Sequence, residues 1–227
     1  MNDPAPRVCR MVELLEAHYG EPQWEGPLDP LDSMVTAILS QSTSDTNRDM
    51  AWRGLRKSFP SWRQVAEADP SDIAAAIRPG GLANQKSRRI RDFVLWVKER
   101  FGEYSLDRIC TMNEQEAYAL FCGVEGIGVK TVAVTLLFAC GRDVFPVDTH
   151  VNRISCRVGL VAANSPPHKT HARMQPHVPP GRCYSLHVNF IRLGREICRR
   201  VPRCHVCPLC TACDYARTAE RQGLPVA

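Results

Sequence analysis

Apolar positions recur along most of this chain at intervals of three and four, the repeat of one helical face. Val8, Met11, Val12 and Leu15 form the first such stripe. Residues 31–41 are largely apolar, with Asp32 or Ser33 placed to cap the start. A helix over about 45–57 is ended by Phe59 and Pro60, and Ser71 opens a short Ala-rich one that Pro79, Gly80 and Gly81 stop. Residues 84–101 predict a strongly basic helix with Ile90, Phe93, Val94 and Val97 on its inner face. Further helices are predicted over about 113–122, 129–140, 149–158 and 184–198. Residues 143–147 read as extended but too short for a sheet, and 161–182 are Pro- and His-rich with one helix at 167–174. No internal repeat and no strand pair stands out, so the predicted class is all-α.

Composition adds little until its placement is considered. The 227 residues are 44% hydrophobic and carry a formal charge of +5, enough for a sizeable core and a mild bias toward polyanions. The start lacks a basic region followed by an apolar run, and no stretch of about 18 apolar residues exists. No secretory signal, no membrane span and a cytoplasmic location are therefore expected. The cysteines number 11, and without a signal peptide structural disulfides are not expected. Cys9, Cys110, Cys122, Cys140, Cys156 and Cys183 are scattered and read as buried reduced thiols.

Three segments carry candidate chemistry. Gly126 and Gly128 flank one apolar residue between two predicted helices. Glycines there permit a tight turn and leave the next helix's first amides open to an anion such as a DNA phosphate. Lys130 follows at the start of that helix, and Asp148, in the run Val147 to Arg153, stands at the N-cap of another. A Lys–Asp pair suits covalent catalysis by an amine, provided a desolvated helix N-terminus favours its neutral form. The third segment holds Cys198, Cys204, Cys207, Cys210 and Cys213. Four close thiolates bind zinc or an iron–sulfur cluster. The spacing alone leaves two sets open: Cys198, Cys204, Cys207 and Cys213, or Cys204, Cys207, Cys210 and Cys213.

Together these runs resemble the endonuclease III family of helix-hairpin-helix DNA glycosylases and AP lyases. The likeness extends from about residue 28 to 213. Gly81–Lys86 is similar to the family's Gly-Leu-Tyr-Asn-x-Lys loop, and Leu39–Asp45 to its Leu-Ser-x-Gln segment. The resemblance implies two helical lobes with an active site between them. One is a six-helix barrel with the hairpin over 30–142; the other is an iron–sulfur domain of 1–29 and 143–227. It implies Lys130 as the amine nucleophile, Asp148 as the catalytic carboxylate and Leu82 as a wedge entering the duplex beside the lesion. It also implies a [4Fe–4S] cluster on Cys198, Cys204, Cys207 and Cys213. The residue filling the vacated stack is Gln41 or Ser42, depending on register. Lys86, Gly126, Gly128, His150, Arg195, Arg199 and Arg203 are expected against DNA, with Arg88, Arg89 and Arg91 extending a basic face.

The implied activity is excision of damaged, oxidised pyrimidines from double-stranded DNA by a monomer, followed by cleavage at the abasic site through a Schiff base. Uracil or mismatched thymine as substrate, a non-catalytic DNA-binding module and a zinc-stabilised scaffold are the competing readings. The chain departs from the family at four places: five residues separate the first two cluster cysteines instead of six, Glu125 replaces a hairpin Pro, Ala83 replaces a Tyr, and Ser42 stands at the expected Gln position.

Overall fold

Asp29 rather than Asp32 or Ser33 caps the first apolar helix of the central region. Its side chain accepts the Asp32 amide at 2.9 Å, and Pro30 occupies the first turn, where a missing N–H costs nothing. The computed structural model describes residues 4–221, all helix, turn and irregular chain with no strand among them. In order, the helices are α1 (Ala5–Tyr19), α2 (Pro30–Leu39), α3 (Asp45–Ser58), α4 (Trp62–Glu67), α5 (Pro70–Ala76) and α6 (Ala83–Phe101). They continue with α7 (Glu114–Phe121), α8 (Val129–Val134), α9 (Thr149–Arg157), α10 (Pro167–Met174), α11 (Cys183–Glu196) and α12 (Asp214–Arg221). None is long and apolar enough to cross a membrane. The predicted all-α class is the observed one.

The chain divides into two compact units, Gly26–Arg142 and the two flanking segments, Met1–Glu25 with Asp143–Ala227. Residues 1–3 and 222–227, included in the second lobe expected from sequence, lie outside the described residues.

In the unit 26–142, α2 is the central element. Leu31, Met34, Val35, Ile38 and Leu39 are all fully buried, and α2 packs on α3, α6 and α8. Burying side chains of this kind contributes about 1.5–3 kcal/mol each. Helix α6 turns Ile90, Phe93, Val94 and Val97 inward, as its pattern predicts, against α4 and α5. Helix α4, unread in the sequence, is a single capping box in which Ser61 and Gln64 satisfy each other's backbone. The predicted helix 129–140 changes character midway: after Val134 it widens into a π turn, Thr135–Ala139. In the other unit α1 packs on α11, and α11 and α10 pack on α9.

The scattered cysteines depart from expectation. Cys110, ending a 3-10 turn at Asp107–Cys110, and Cys140, following the π turn, form a disulfide with Cα atoms 5.0 Å apart. Of the other four, only Cys183 is buried; Cys9 and Cys122 are exposed and Cys156 is half-buried.

Candidate functional site

Three loops of the unit 26–142 carry candidate residues, and side chains tie them to one another. The loop after α2 holds Gln41 and Ser42; the loop before α6 holds Leu82; the hairpin before α8 holds Gly126 and Gly128. Gln41 Nε2 donates to the Gly126 carbonyl at 2.9 Å, across 85 residues of sequence. Ser42 is exposed with φ 53°, and Leu82 is 56% exposed with φ 50°. Left-handed backbone costs a side-chain-bearing residue roughly 1–2 kcal/mol. A large apolar side chain held outward on such a backbone is not serving the core.

Lys86 corrects its expectation. It is not on a basic face: it is 1% exposed, and its ammonium donates to the Leu39 and Gly80 carbonyls, each at 2.7 Å. Burial lowers its pKa from the ordinary lysine value. Arg88 is exposed, and Arg89 and Arg91 are half-buried, so the outer face of α6 remains basic without it.

At the hairpin only Gly126 uses glycine's backbone freedom, with φ 82°. Gly128 is extended, and its contribution is space: an added Cβ there would meet nothing within 4 Å, and no side chain caps α8. Lys130 lies half-buried in the first turn of α8. Glu125, whose side chain is 85% exposed, pairs with Arg89 at 3.4 Å. The acid that replaces the family's Pro thus meets a compensating charge, a weak one at this exposure.

Asp148 and His150 belong to the other unit. Asp148 caps α9, its Oδ1 accepting the Val151 amide at 2.7 Å. His150 is seated against α11, where a Cβ on Gly194 would lie 2.6 Å from its Nδ1. Arg153, one turn on, has Nη2 3.1 Å from His150 Nδ1. It also donates to the Gly194 and Cys198 carbonyls. A guanidinium can only donate, so Nδ1 accepts and the imidazole proton sits on Nε2.

Cys198, Cys204, Cys207, Cys210 and Cys213 line one small pocket with Ile154, Leu193 and Leu209, a cavity of about 20 Å³. Burial pushes the Cys207 thiol up to about 12, and the sulfurs of Cys198, Cys213 and Cys204 add to the rise. Burial likewise raises Cys204 and Cys213. Arg157 enters from α9, donating to Cys198 Sγ at 3.3 Å and to the Arg199 and Arg200 carbonyls. Arg195, Arg199 and Arg203 are exposed around this loop, and Arg199 Nε donates to the Arg195 carbonyl.

Sequence reasoning missed Arg153 and Arg157. Their signal was present: His150, Arg153 and Arg157 follow one another at helical intervals of three and four along α9.

The model of HhH-GPD superfamily base excision DNA repair proteins matches residues 35–180. A putative DNA glycosylase of Arabidopsis thaliana is 32% identical over 73% of this chain, which spans 56% of that protein's length. Endonuclease III of Thermotoga maritima is 28% identical over 83% of this chain and 84% of its own. Among solved structures, an endonuclease III–DNA complex superposes with a TM-score of 0.81 at 20% identity, covering 97% of this chain and all of the other. A thermostable thymine-DNA glycosylase gives 0.78 at 19% identity, covering 95% of this chain and all of the other.

Proposed function

Because the chain belongs to the HhH-GPD superfamily of base excision DNA repair proteins, we propose that it is an endonuclease III-like DNA glycosylase with AP-lyase activity, acting on oxidised pyrimidines in double-stranded DNA. The observation that carries this reading is Lys130, half-buried in the first turn of α8 directly behind an uncapped glycine hairpin. A structural lysine is seldom put where a helix N-terminus already repels its charge. A nucleophilic amine gains there, because the neutral form is the reactive one.

The target base lies inside a duplex and must leave the stack before any side chain reaches its sugar. Leu82 has the exposure and the apolar surface of a wedge, with Gln41 or Ser42 filling the space left behind. Lys130 Nζ attacks the sugar C1′; the C1′–N bond breaks and the base departs with its electron pair, taking up a proton. Asp148 stabilises the positive charge that develops on the sugar. The nitrogen then loses a proton and its lone pair expels O4′; the C1′–O4′ bond breaks, O4′ takes up a proton, and the opened sugar carries the Schiff base C1′=N. Removal of a C2′ proton then expels the 3′ phosphate by β-elimination, and water releases Lys130. The hairpin, His150 Nε2–H and the arginines Arg195, Arg199 and Arg203 hold phosphates and read no sequence.

The cysteine pocket fits an iron–sulfur cluster. Five thiols line one pocket, and four thiolates are the donor set that holds such a cluster. Cys198, Cys204, Cys207 and Cys213 would hold it, the set the family resemblance implies; the sulfurs of Cys198, Cys204 and Cys213 act on Cys207, while Cys210 also acts on Cys204. When bound, the cluster would cross-link residues 198–213 and fix the arginines around them.

A second reading, uracil or mismatched thymine as substrate, is favoured by Ala83, which leaves more room beside the wedge than the family's Tyr. Borohydride trapping on an abasic duplex tests the mechanism. Wild type is expected to form a covalent adduct that Lys130→Ala does not. An adduct of equal yield in Lys130→Ala sinks the assignment. A panel of oxidised-pyrimidine, uracil and G·T duplexes then decides the substrate.

A further inference from the structure

Lys86 is a buried charged group whose two hydrogen bonds reach two different loops. Isolating an ammonium from water costs several kcal/mol unless it is paired, yet its described partners are two main-chain carbonyls rather than a carboxylate. An apolar side chain of similar length would fill the space but leave both carbonyls without this donor. What the ammonium does uniquely is bind two particular carbonyls at once.

Those carbonyls root the two loops that the proposed function uses. Leu39 ends α2, directly before the loop of Gln41 and Ser42. Gly80 ends the 3-10 turn Arg78–Gly80, directly before Gly81 and Leu82. Ser42 and Leu82 are the two non-glycine residues with positive φ among those described. Strained backbone persists where its surroundings over-determine it, and Lys86 Nζ touches the base of both strained loops. The first loop is tied in turn to the hairpin through Gln41 Nε2 and the Gly126 carbonyl.

We infer that Lys86 is a positioning residue that couples the Gln41–Ser42 loop to the Leu82 loop, so that wedge insertion and gap filling occur as one event. The inference rests on the reading of the chain as a base-extruding glycosylase. Lys86 touches no substrate; its amine is enclosed and both bonds are directed at main chain. Its effect is confined to steps that require the two loops to enter a duplex together.

The test uses the full chain and two substrates. A duplex carrying an oxidised pyrimidine beside 2-aminopurine reports extrusion by fluorescence and excision by product. A single strand with a preformed abasic site needs no extrusion and reports Lys130 chemistry alone. Lys86→Met is expected to lower duplex excision and the fluorescence rise by about ten- to a hundredfold, the cost of misplacing groups by an ångström. Cleavage of the single strand is expected to stay within about twofold of wild type. Lys86→Met combined with Leu82→Ala is expected to fall little below the worse single variant, because both disable one device.

Equal losses on both substrates, or fully additive losses in the double variant, make Lys86 an ordinary core residue and overturn the inference. So does unchanged extrusion in Lys86→Met. Should Lys86→Met not fold, Lys86→Gln, which keeps a neutral donor, replaces it; failure of both to fold also makes the role structural. Wild type that produces neither extrusion nor excision on any damaged duplex overturns the functional reading itself, and this inference with it.

Discussion

Asp148 has two duties that one substitution cannot separate and two can. As a cap it needs only an acceptor oxygen, because the Val151 amide is the donor. As a catalytic group it needs charge. Asp148→Asn keeps the acceptor, and the loss of charge at a helix N-terminus is expected to cost about 0.5 kcal/mol or less. Asp148→Ala loses the acceptor as well and is expected to cost about 1 kcal/mol. Both are expected to abolish single-turnover base excision. Thermal denaturation beside single-turnover kinetics checks this, and full excision by Asp148→Asn reduces Asp148 to a cap. The same distinction applies to Arg153. Its three carbonyl bonds hold α9 to the end of α11, and its contact with His150 fixes the tautomer that can meet a phosphate.

Among the elements, what was legible in the sequence was what depends on local repeat. The limits of α6 and α10 follow from apolar spacing and from the glycine or proline beside them. What was not legible depends on partners far along the chain. The basic run 86–91 gives no hint that Lys86 points inward, since the carbonyls that draw it in come from Leu39 and Gly80. Helix α4 is one turn and a half and carries too few positions to show a period. The Cys110–Cys140 bridge was missed for the same reason: 30 residues separate two cysteines, each unremarkable alone. It fastens the 3-10 turn Asp107–Cys110 to the end of the π turn Thr135–Ala139 that continues α8, the helix carrying Lys130 in its first turn. Closing a loop of this length stabilises by about 3 kcal/mol through the unfolded chain. Cys110→Ser is therefore expected to lower the melting temperature under oxidising conditions. Added reductant is expected to bring wild type down to the same value and leave the variant unmoved. Identical wild-type melting with and without reductant shows that the bridge does not contribute.

At the scale of the whole molecule, a net charge of +5 is too small to explain tight DNA binding unless the positive groups are concentrated. They are: Arg192, Arg195, Arg199, Arg200 and Arg203 are all exposed within a span of twelve residues beside the cysteine pocket. Groups that neutralise phosphates release counterions, and each contributes about 0.9 to the slope of log affinity against log salt. Groups that recognise a distorted or gapped stack release none. The two classes of residue proposed here should therefore separate in a salt titration. Arg199→Ala with Arg203→Ala is expected to make the slope shallower by about 1.8 on damaged and undamaged duplexes alike. Leu82→Ala is expected to leave the slope unchanged and to lose preference for the lesion. Fluorescence anisotropy on both duplexes across a range of salt concentrations measures all four cases. An arginine pair that alters lesion preference with no change in slope places those side chains away from the phosphates. A Leu82→Ala slope that follows the arginine variants means the loop acts by its backbone charge environment and not as a wedge.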